Sequence, residues 1–299
     1  MANFYPKISI VTPSFEQASF LEAAIRSVLN QNYPNLEYVI IDGGSTDGSV
    51  DIIKKYQQHL HYWCSEPDNG QYEAINKGFS HTTGEIMAWL NSDDMYCPWA
   101  FKTVASIMSD LPEVEWLTTL NPGHWDMKGF CKGFGSIAGF SREAFLDGCY
   151  LPTFKKFTIS WIQQESTFWK RDLWEKSGKE IPTEFSLAGD FELWSRFYRY
   201  AELYGTTSPL GGFRFQNKQR SQDKVKYIAE AEVSLSRIRD FCQWSPRKSR
   251  DIAMNLRLHQ LPKIRKTFEP LYTYTGKRIQ RANYDSSEGY WEIEAYRFS

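Results

Sequence analysis

Three short apolar runs near the start of the chain limit its fold more than any other feature: Ile8 to Val11, Tyr38 to Ile41 and Ile86 to Leu90, with helical patterns between them. Runs that are apolar at every position belong to strands covered on both faces, the condition of a parallel sheet. Between the first two, Phe20, Leu21, Ala24, Ile25, Val28 and Leu29 recur at helical spacing, and Pro34 closes that helix before Leu36 begins the next strand. This is a βαβ unit. Further helices are predicted over Asp47 to Gln58, Gln71 to Phe79 and Pro98 to Ser109, where Pro98 suits a first helical turn. The expected class is α/β, a nucleotide-binding sheet flanked by helices.

From Glu115 to about Gly212 short strands, glycine-rich turns such as Gly129 to Gly139 and helices such as Gly189 to Tyr200 are mixed. Beyond Gln222 the pattern turns helical, with a long helix from about Asp223 to Cys242 and breaks at Pro246 and Pro262. The expected division is therefore a catalytic domain over 1–221, with a nucleotide-binding half (1–110) and an acceptor half (111–221), and a mainly helical C-terminal extension over 222–299. A length of 299 residues accommodates this.

Lysine plus arginine number 35 against 36 acidic residues, so the global charge of −1 gives no general attraction to nucleic acid, and none is expected as a partner. One segment is strongly basic. Arg247 to Arg281 holds ten basic and two acidic residues, a local +8. It reads either as a peripheral contact with the anionic inner face of a membrane or as a solvated face packed on the catalytic domain or a partner. No apolar run long enough to span a bilayer and no signal-peptide pattern are found, so a cytoplasmic location is expected. The five cysteines are odd in number and never in a CxxC pair, and the histidines form no helical metal-binding pair, so neither a disulfide framework nor a zinc site is indicated.

Four clusters carry chemistry, each at an expected strand end or helix start, where open α/β sheets bind ligands. In Thr12-Pro13-Ser14-Phe15, Pro13 fixes the turn, and the backbone and hydroxyl groups can hold a base or ribose; the plainer reading makes Ser14 a helix cap. In Asp42-Gly43-Gly44-Ser45-Thr46-Asp47-Gly48, Asp42 can accept from a base imide or ribose hydroxyl, or simply form the turn. Neither GxGxxG nor GxxxxGK[ST] occurs, which argues against a dinucleotide oxidoreductase and a P-loop enzyme. In Asn91-Ser92-Asp93-Asp94, adjacent carboxylates point different ways, so one can take a divalent cation while the other contacts the ligand. Two carboxylates without histidine suit Mn2+ or Mg2+ on a diphosphate leaving group. Asp190, in AGDFELW, starts a helix, where a carboxylate is also favoured as a cap.

As a set, ISIVTPSF (8–15), YVIIDGGSTDGS (38–49), SEPDNGQYEAINKGF (65–79) and WLNSDD (89–94) resemble the family 2 glycosyltransferases of the GT-A type, and QQESTFW (163–169) and AGDFELW (188–194) continue the likeness. The resemblance implies an inverting, nucleotide-sugar-dependent glycosyltransferase, of hexosyltransferase type, working in polysaccharide or glycoconjugate synthesis on a saccharide or lipid-linked acceptor. It implies that Thr12, Pro13 and Asp42 line the base pocket and that Asp68 helps close it. Asp94 would be the likelier ligand of the cation, Asp93 would lie nearer the ribose and diphosphate, and Asp190 would be the general base. Where relatives often have a histidine in a later loop, this chain has Phe215-Gln216-Asn217-Lys218-Gln219-Arg220-Ser221, and Lys218 or Arg220 would steady the diphosphate instead. Of the other classes, a non-catalytic scaffold is expected to have lost Asp93, Asp94 or Asp190, and a sugar nucleotidyltransferase to carry a glycine- and basic-rich loop after the first strand. Pro13-Ser14-Phe15-Glu16 is neither glycine-rich nor basic.

Overall fold

A computed structural model describes residues 5–152, 160–216, 219, 223–245, 248–256, 258, 261, 265–283 and 289–299. Its strands are β1 (Ile8–Ser14), β2 (Leu36–Asp42), β3 (Tyr62–Ser65), β4 (Ile86–Trp89), β5 (Met95–Tyr96), β6 (Trp116–Thr119), β7 (Gly123–Trp125), β8 (Cys131–Phe134), β9 (Phe168–Lys170), β10 (Tyr204–Thr206), β11 (Gly211–Arg214), β12 (Tyr274–Ala282) and β13 (Tyr290–Phe298). The helices are α1 (Ala18–Leu29), α2 (Ser49–Tyr56), α3 (Gln71–Ser80), α4 (Ala100–Asp110), α5 (Arg142–Leu146), α6 (Arg171–Lys176), α7 (Gly189–Phe197), α8 (Lys224–Cys242), α9 (Lys248–Asn255) and α10 (Arg265–Tyr272).

Nine strands form the main sheet in the order β13-β12-β10-β6-β9-β4-β1-β2-β3, and β5-β11-β7-β8 form a second, smaller one. β1, β2 and β4 are parallel, as their buried apolar runs require, and the half-buried β3 pairs parallel with β2 at the edge. α1 covers them with a stripe of Leu21, Ala24, Ile25 and Val28. α3 lies so close to β1 that a Cβ on Gly78 would stand 2.4 Å from Val11 Cγ1, so glycine is needed there.

The chain order reverses at β1, which has β2 on one side and β4 on the other; such switch points are where α/β sheets bind ligands. β1 stays paired with β2 as far as Ser14 and Asp42, but its register with β4 ends at Val11 and Trp89. Thr12 to Ser14 therefore continue the strand instead of turning at its end, and the gap opens on the β4 side. Pro13, with no N–H to donate, occupies a position where the β4 ladder has already stopped.

The described part of the C-terminal extension carries α8, α9 and α10, then differs from expectation by ending in the hairpin β12–β13, which joins the main sheet through β10. Apolar and polar pairs both hold these strands: Ile279 lies opposite Ile293 and Tyr274 opposite Phe298 on the core, while Arg278 lies opposite Glu294 and bonds it at 2.8 Å, and Gln280 bonds Glu292 opposite it. The basic segment also uses much of its charge internally. Arg250 is buried, pairs with Glu143 and Asp147 and stacks on Tyr274, while Lys277 bonds Tyr204 and Arg281 lies over Trp291. Arg247, Arg257 and Lys263 fall outside the described residues. Among those described, no helix is long and apolar enough to cross a membrane.

Candidate active site

A cleft of about 680 Å³ opens over the β1/β4 gap. Pro13, Ser14 and Phe15 from β1 and the turn after it, Asn91, Ser92 and Asp93 from the turn after β4, and Asp68 beside α3 line one side. Gln163, Gln164 and Glu165, Asp190 of α7, Phe213, Phe215 and Gln216 from β11 and its loop, and Tyr227 of α8 line the rest. Phe15 and Trp161 stand exposed in its lining, 60% and 49% accessible, whereas Trp169, Trp174 and Trp194 are core residues.

Not every residue expected here faces the opening. Thr12 is fully buried beneath it and shares a 3.1 Å hydrogen bond with the Tyr38 hydroxyl. Asp42, also fully buried, has its carboxylate taken up by its own loop: it accepts from the backbone of Gly44 and Ser45 and from the hydroxyls of Ser45 and Ser65. Three of these bonds fall on Oδ2 and one on Oδ1, so the carboxylate holds its loop to the end of β3, and Asp42 is not among the residues that line the cleft. Ser14 does not act as a cap; its hydroxyl is buried in the cleft wall with no partner among the described residues. Asp68 lines the cleft, accepts from Gly70 N, and has its carboxyl raised by burial and by Glu73 and Asp42.

Asp93 and Asp94 do point different ways. Asp93 is half-buried, faces the cleft and accepts a hydrogen bond from Gln216 Nε2. Asp94, 1% exposed, turns inward, where its carboxylate accepts from Arg214 N at 2.9 Å and from Asn91 Nδ2. The resemblance makes Asp94 the likelier cation ligand, yet of the two it is Asp93 that lines the cleft, while the Arg214 backbone at the end of β11 supplies Asp94 with a donor. Burial raises the carboxyls of both, and that of Asp94 is raised further by Asp93 and Glu165.

Glu165 is buried between the two acidic groups. Burial, then the charges of Asp190 and Asp93, push its carboxyl up to about 8, and its Oε1 has no partner among the described residues. A folded value above the ordinary one means that the folded chain keeps a proton the unfolded chain releases, so this contribution is present in acid and lost as pH rises towards 8. In metal-free buffer, Glu165→Gln is therefore expected to raise Tm, relative to the parent, more at about pH 8.5 than at about pH 5. Equal differences at the two pH values would show an ordinary carboxyl.

Asp190 enters at the first turn of α7. Gly189 before it is required by contact, since a Cβ there would lie 2.6 Å from the Tyr72 ring and 2.8 Å from Ile181. Asp190 accepts from Phe191 N and, at 3.3 Å, from the hydroxyl of Tyr227. Burial outweighs both bonds and pushes its carboxyl up to about 6, near the working pH of a general base. Glu192 does not line the cleft; it pairs with Arg196, which also bonds the carbonyls of Ser177 and Glu180. Lys218, Arg220 and Ser221 lie outside the described residues, next to the cleft-lining Gln216 and Gln219. Glu165, Gln216 and Tyr227 had no role assigned from sequence; Tyr227 stands 37 residues from Asp190 with no motif around it.

No three His, Cys, Asp or Glu side chains among the described residues form a ready cage for a metal ion. The donor set nevertheless fits an ion held by one or two carboxylates with ligand oxygens completing the shell: Asp93 offers a carboxylate to the cleft, where Gln216 bonds one of its oxygens.

Residues 9–119 match the family model described as glycosyl transferase family 2. TuaG of Bacillus subtilis, a glycosyltransferase provisionally named for teichuronic acid biosynthesis, is 35% identical over 99 residues, 32% of this chain and 39% of TuaG; the match thus spans about two fifths of that relative. An uncharacterized glycosyltransferase of Rickettsia typhi is 25% identical across 78% of this chain and 72% of its own length. Among solved structures, S. aureus TarS in complex with UDP-GlcNAc aligns over 89% of this chain and 70% of its own, with a TM-score of 0.56 and 15% identity. Mannosyltransferase PcManGT of Pyrobaculum calidifontis, in complex with GDP-Man and Mn2+, aligns over 90% and 85% with a TM-score of 0.50 and 16% identity. Residues 9–119 thus carry the pattern of glycosyl transferase family 2, and the α/β sheet of the chain has the GT-A-like fold of these structures.

Proposed function

We infer that this cleft binds a nucleoside diphosphate sugar and transfers the sugar to an acceptor hydroxyl with inversion. The observation that carries the reading is that Asp93 and Asp190, 97 residues apart in sequence, line one cleft at the switch point of the sheet, with Asp190 pushed up to about 6. The acceptor oxygen attacks the anomeric carbon as the bond from that carbon to the diphosphate breaks, and the departing oxygen keeps the electron pair. Asp190 takes the acceptor's proton as the new bond forms. One displacement inverts the anomeric centre.

Asp93 would hold the divalent cation, Mn2+ or Mg2+, which when bound neutralises negative charge on the leaving diphosphate. Pro13, the orphan Ser14 hydroxyl and Asp68 wall the end suited to the base and ribose, while Thr12 and Asp42 act from beneath by fixing the loops. The UDP-GlcNAc and GDP-Man held by the structural neighbours support a nucleoside diphosphate hexose, and TuaG's name supports a polysaccharide or glycoconjugate acceptor. A membrane contact through 247–281 rests on less charge than the sequence displays, given the ion pairs of Arg250 with Glu143 and Asp147 and of Arg278 with Glu294. A thermal-shift panel of UDP, GDP, CDP and dTDP tests the reading. One of them is expected to raise Tm in Mn2+ and not in chelator, and a panel without any shift would refute it.

A further inference from the structure

We propose that the C-terminal helix α8 is part of the catalytic apparatus, with Tyr227 and Glu230 as positioning residues that set the place and the acidity of Asp190. This rests on Asp190 being the base, as proposed above.

α8 packs along α7 and buries Ala231, Ser234, Leu235 and Ile238, a continuous stripe at helical spacing. Tyr227 and Glu230 lie at the N-terminal end of that side of the helix, three residues apart and so neighbours on its surface. Each meets a different part of the segment that carries Asp190. Tyr227 donates its hydroxyl proton to Asp190 Oδ1. Glu230 accepts from four donors in three consecutive residues: the backbone N–H groups of Ser186, Leu187 and Ala188, and the Ser186 hydroxyl, at 2.8–3.2 Å.

Those backbone donors matter because α7 begins without a cap of its own. Its N-cap is Ala188, whose side chain cannot accept; Gly189 N is taken by the Tyr72 hydroxyl and Phe191 N by Asp190, and the three N–H groups just ahead of the helix need acceptors from elsewhere. The Glu230 carboxylate satisfies them from another helix, and a negative charge there is also favoured by the dipole of α7. Burial disfavours that charge, but the bonds from Ala188 and Leu187 win and hold the Glu230 carboxyl below its usual range. The loop 186–188 is thus fixed at one end by Glu230 and at the other by Tyr72, whose hydroxyl donates to Leu187 O and accepts from Gly189 N.

The two residues of α8 act on Asp190 in opposite senses. A hydroxyl donated to the carboxylate favours the ionised form, whereas a second anion nearby disfavours it. The other charged or titratable groups around Asp190 are Glu165, which shares the cleft and feels its charge, Tyr72 of α3, bonded to Gly189 N, and Lys224 on the first turn of α8, in the lining of the same cleft.

The test is a carbon-13 NMR titration of the full chain labelled at aspartate carboxyls, with Asp190 identified as the resonance lost in Asp190→Asn. Removing the Tyr227 hydroxyl should raise the Asp190 value by about one unit in Tyr227→Phe, the worth of one hydrogen bond to a charged group. Glu230→Gln should lower it. A purely structural helix would move neither, and Glu230→Asp, which keeps the charge, should titrate close to the parent. Unchanged values in both variants, or shifts of the same sign, overturn the proposal; a shift in one alone removes the role given to the other. Turnover of Asp190→Asn is read separately. If it stays normal while the titrations shift as expected, the base assignment has failed but the control of Asp190 by α8 stands.

Discussion

Asp93→Asn is expected to abolish the manganese-dependent binding of the nucleoside diphosphate that stabilises the parent, weakening it by about 100-fold or more, equivalent to about 2.7 kcal/mol. Asp93 is the carboxylate of the pair that faces the cleft, and an ion held by one or two carboxylates loses most of its protein ligation when one becomes an amide. The fold should persist, because an asparagine oxygen can still accept from Gln216. Asp94→Asn is the informative comparison. Its carboxyl lies inward, away from the cleft lining, and an amide there keeps an acceptor for Arg214 N. A smaller loss of affinity is expected. Calorimetry with the nucleotide in Mn2+ and in chelator decides between them, and a larger loss at Asp94 than at Asp93 would restore the order of roles suggested by the sequence.

That comparison shows where the sequence was legible. The runs at 8–11, 38–41 and 86–90 became β1, β2 and β4 because full burial in parallel sheet leaves an unbroken apolar signal. The motifs likewise mark the place of the cleft. What they do not reveal is which motif residues touch a ligand and which hold the loop. DGGSTDGS is largely a self-bonded knot: Asp47 accepts from Ala18 N at the start of α1 and from Ser49 N at the start of α2, Ser45 accepts from Glu16 N, and Thr46 bonds the Glu16 carboxylate. Asp42 belongs to that knot, and a spacing pattern cannot separate an aspartate that bonds its own loop from one that waits for a base. The contributions of α8 and β11 were beyond reach for another reason. Tyr227, Glu230, Arg214 and Gln216 gain meaning only from contacts across 37 to 123 residues of chain, and no local period encodes these.

Asp190→Asn is expected to lower turnover by about 100-fold or more while nucleotide binding stays near the parent value. A sugar hydroxyl attacks poorly until its proton is shared with a positioned acceptor; asparagine keeps the shape of aspartate and removes that capacity. The pH dependence follows from the same group. The base works only when ionised, so turnover of the parent should fall as pH drops through about 6, the value to which burial has pushed Asp190. The residual activity of Asp190→Asn should lose that acid limb. Glu192 is the natural rival, two positions along the same helix, and it too is a buried carboxylate. It is committed elsewhere: Arg196 bonds it through Nε at 3.0 Å and through a terminal nitrogen at 2.8 Å, and the same guanidinium ties α7 to the carbonyls of Ser177 and Glu180. Breaking that pair in Glu192→Gln should therefore cost stability, about 2 kcal/mol in urea unfolding, and leave turnover and its acid limb intact. Product formation and urea melts on the two variants separate the cases. If Glu192→Gln loses turnover and the acid limb while Asp190→Asn keeps both, the proton goes to Glu192 and the geometry of α7 has been misread.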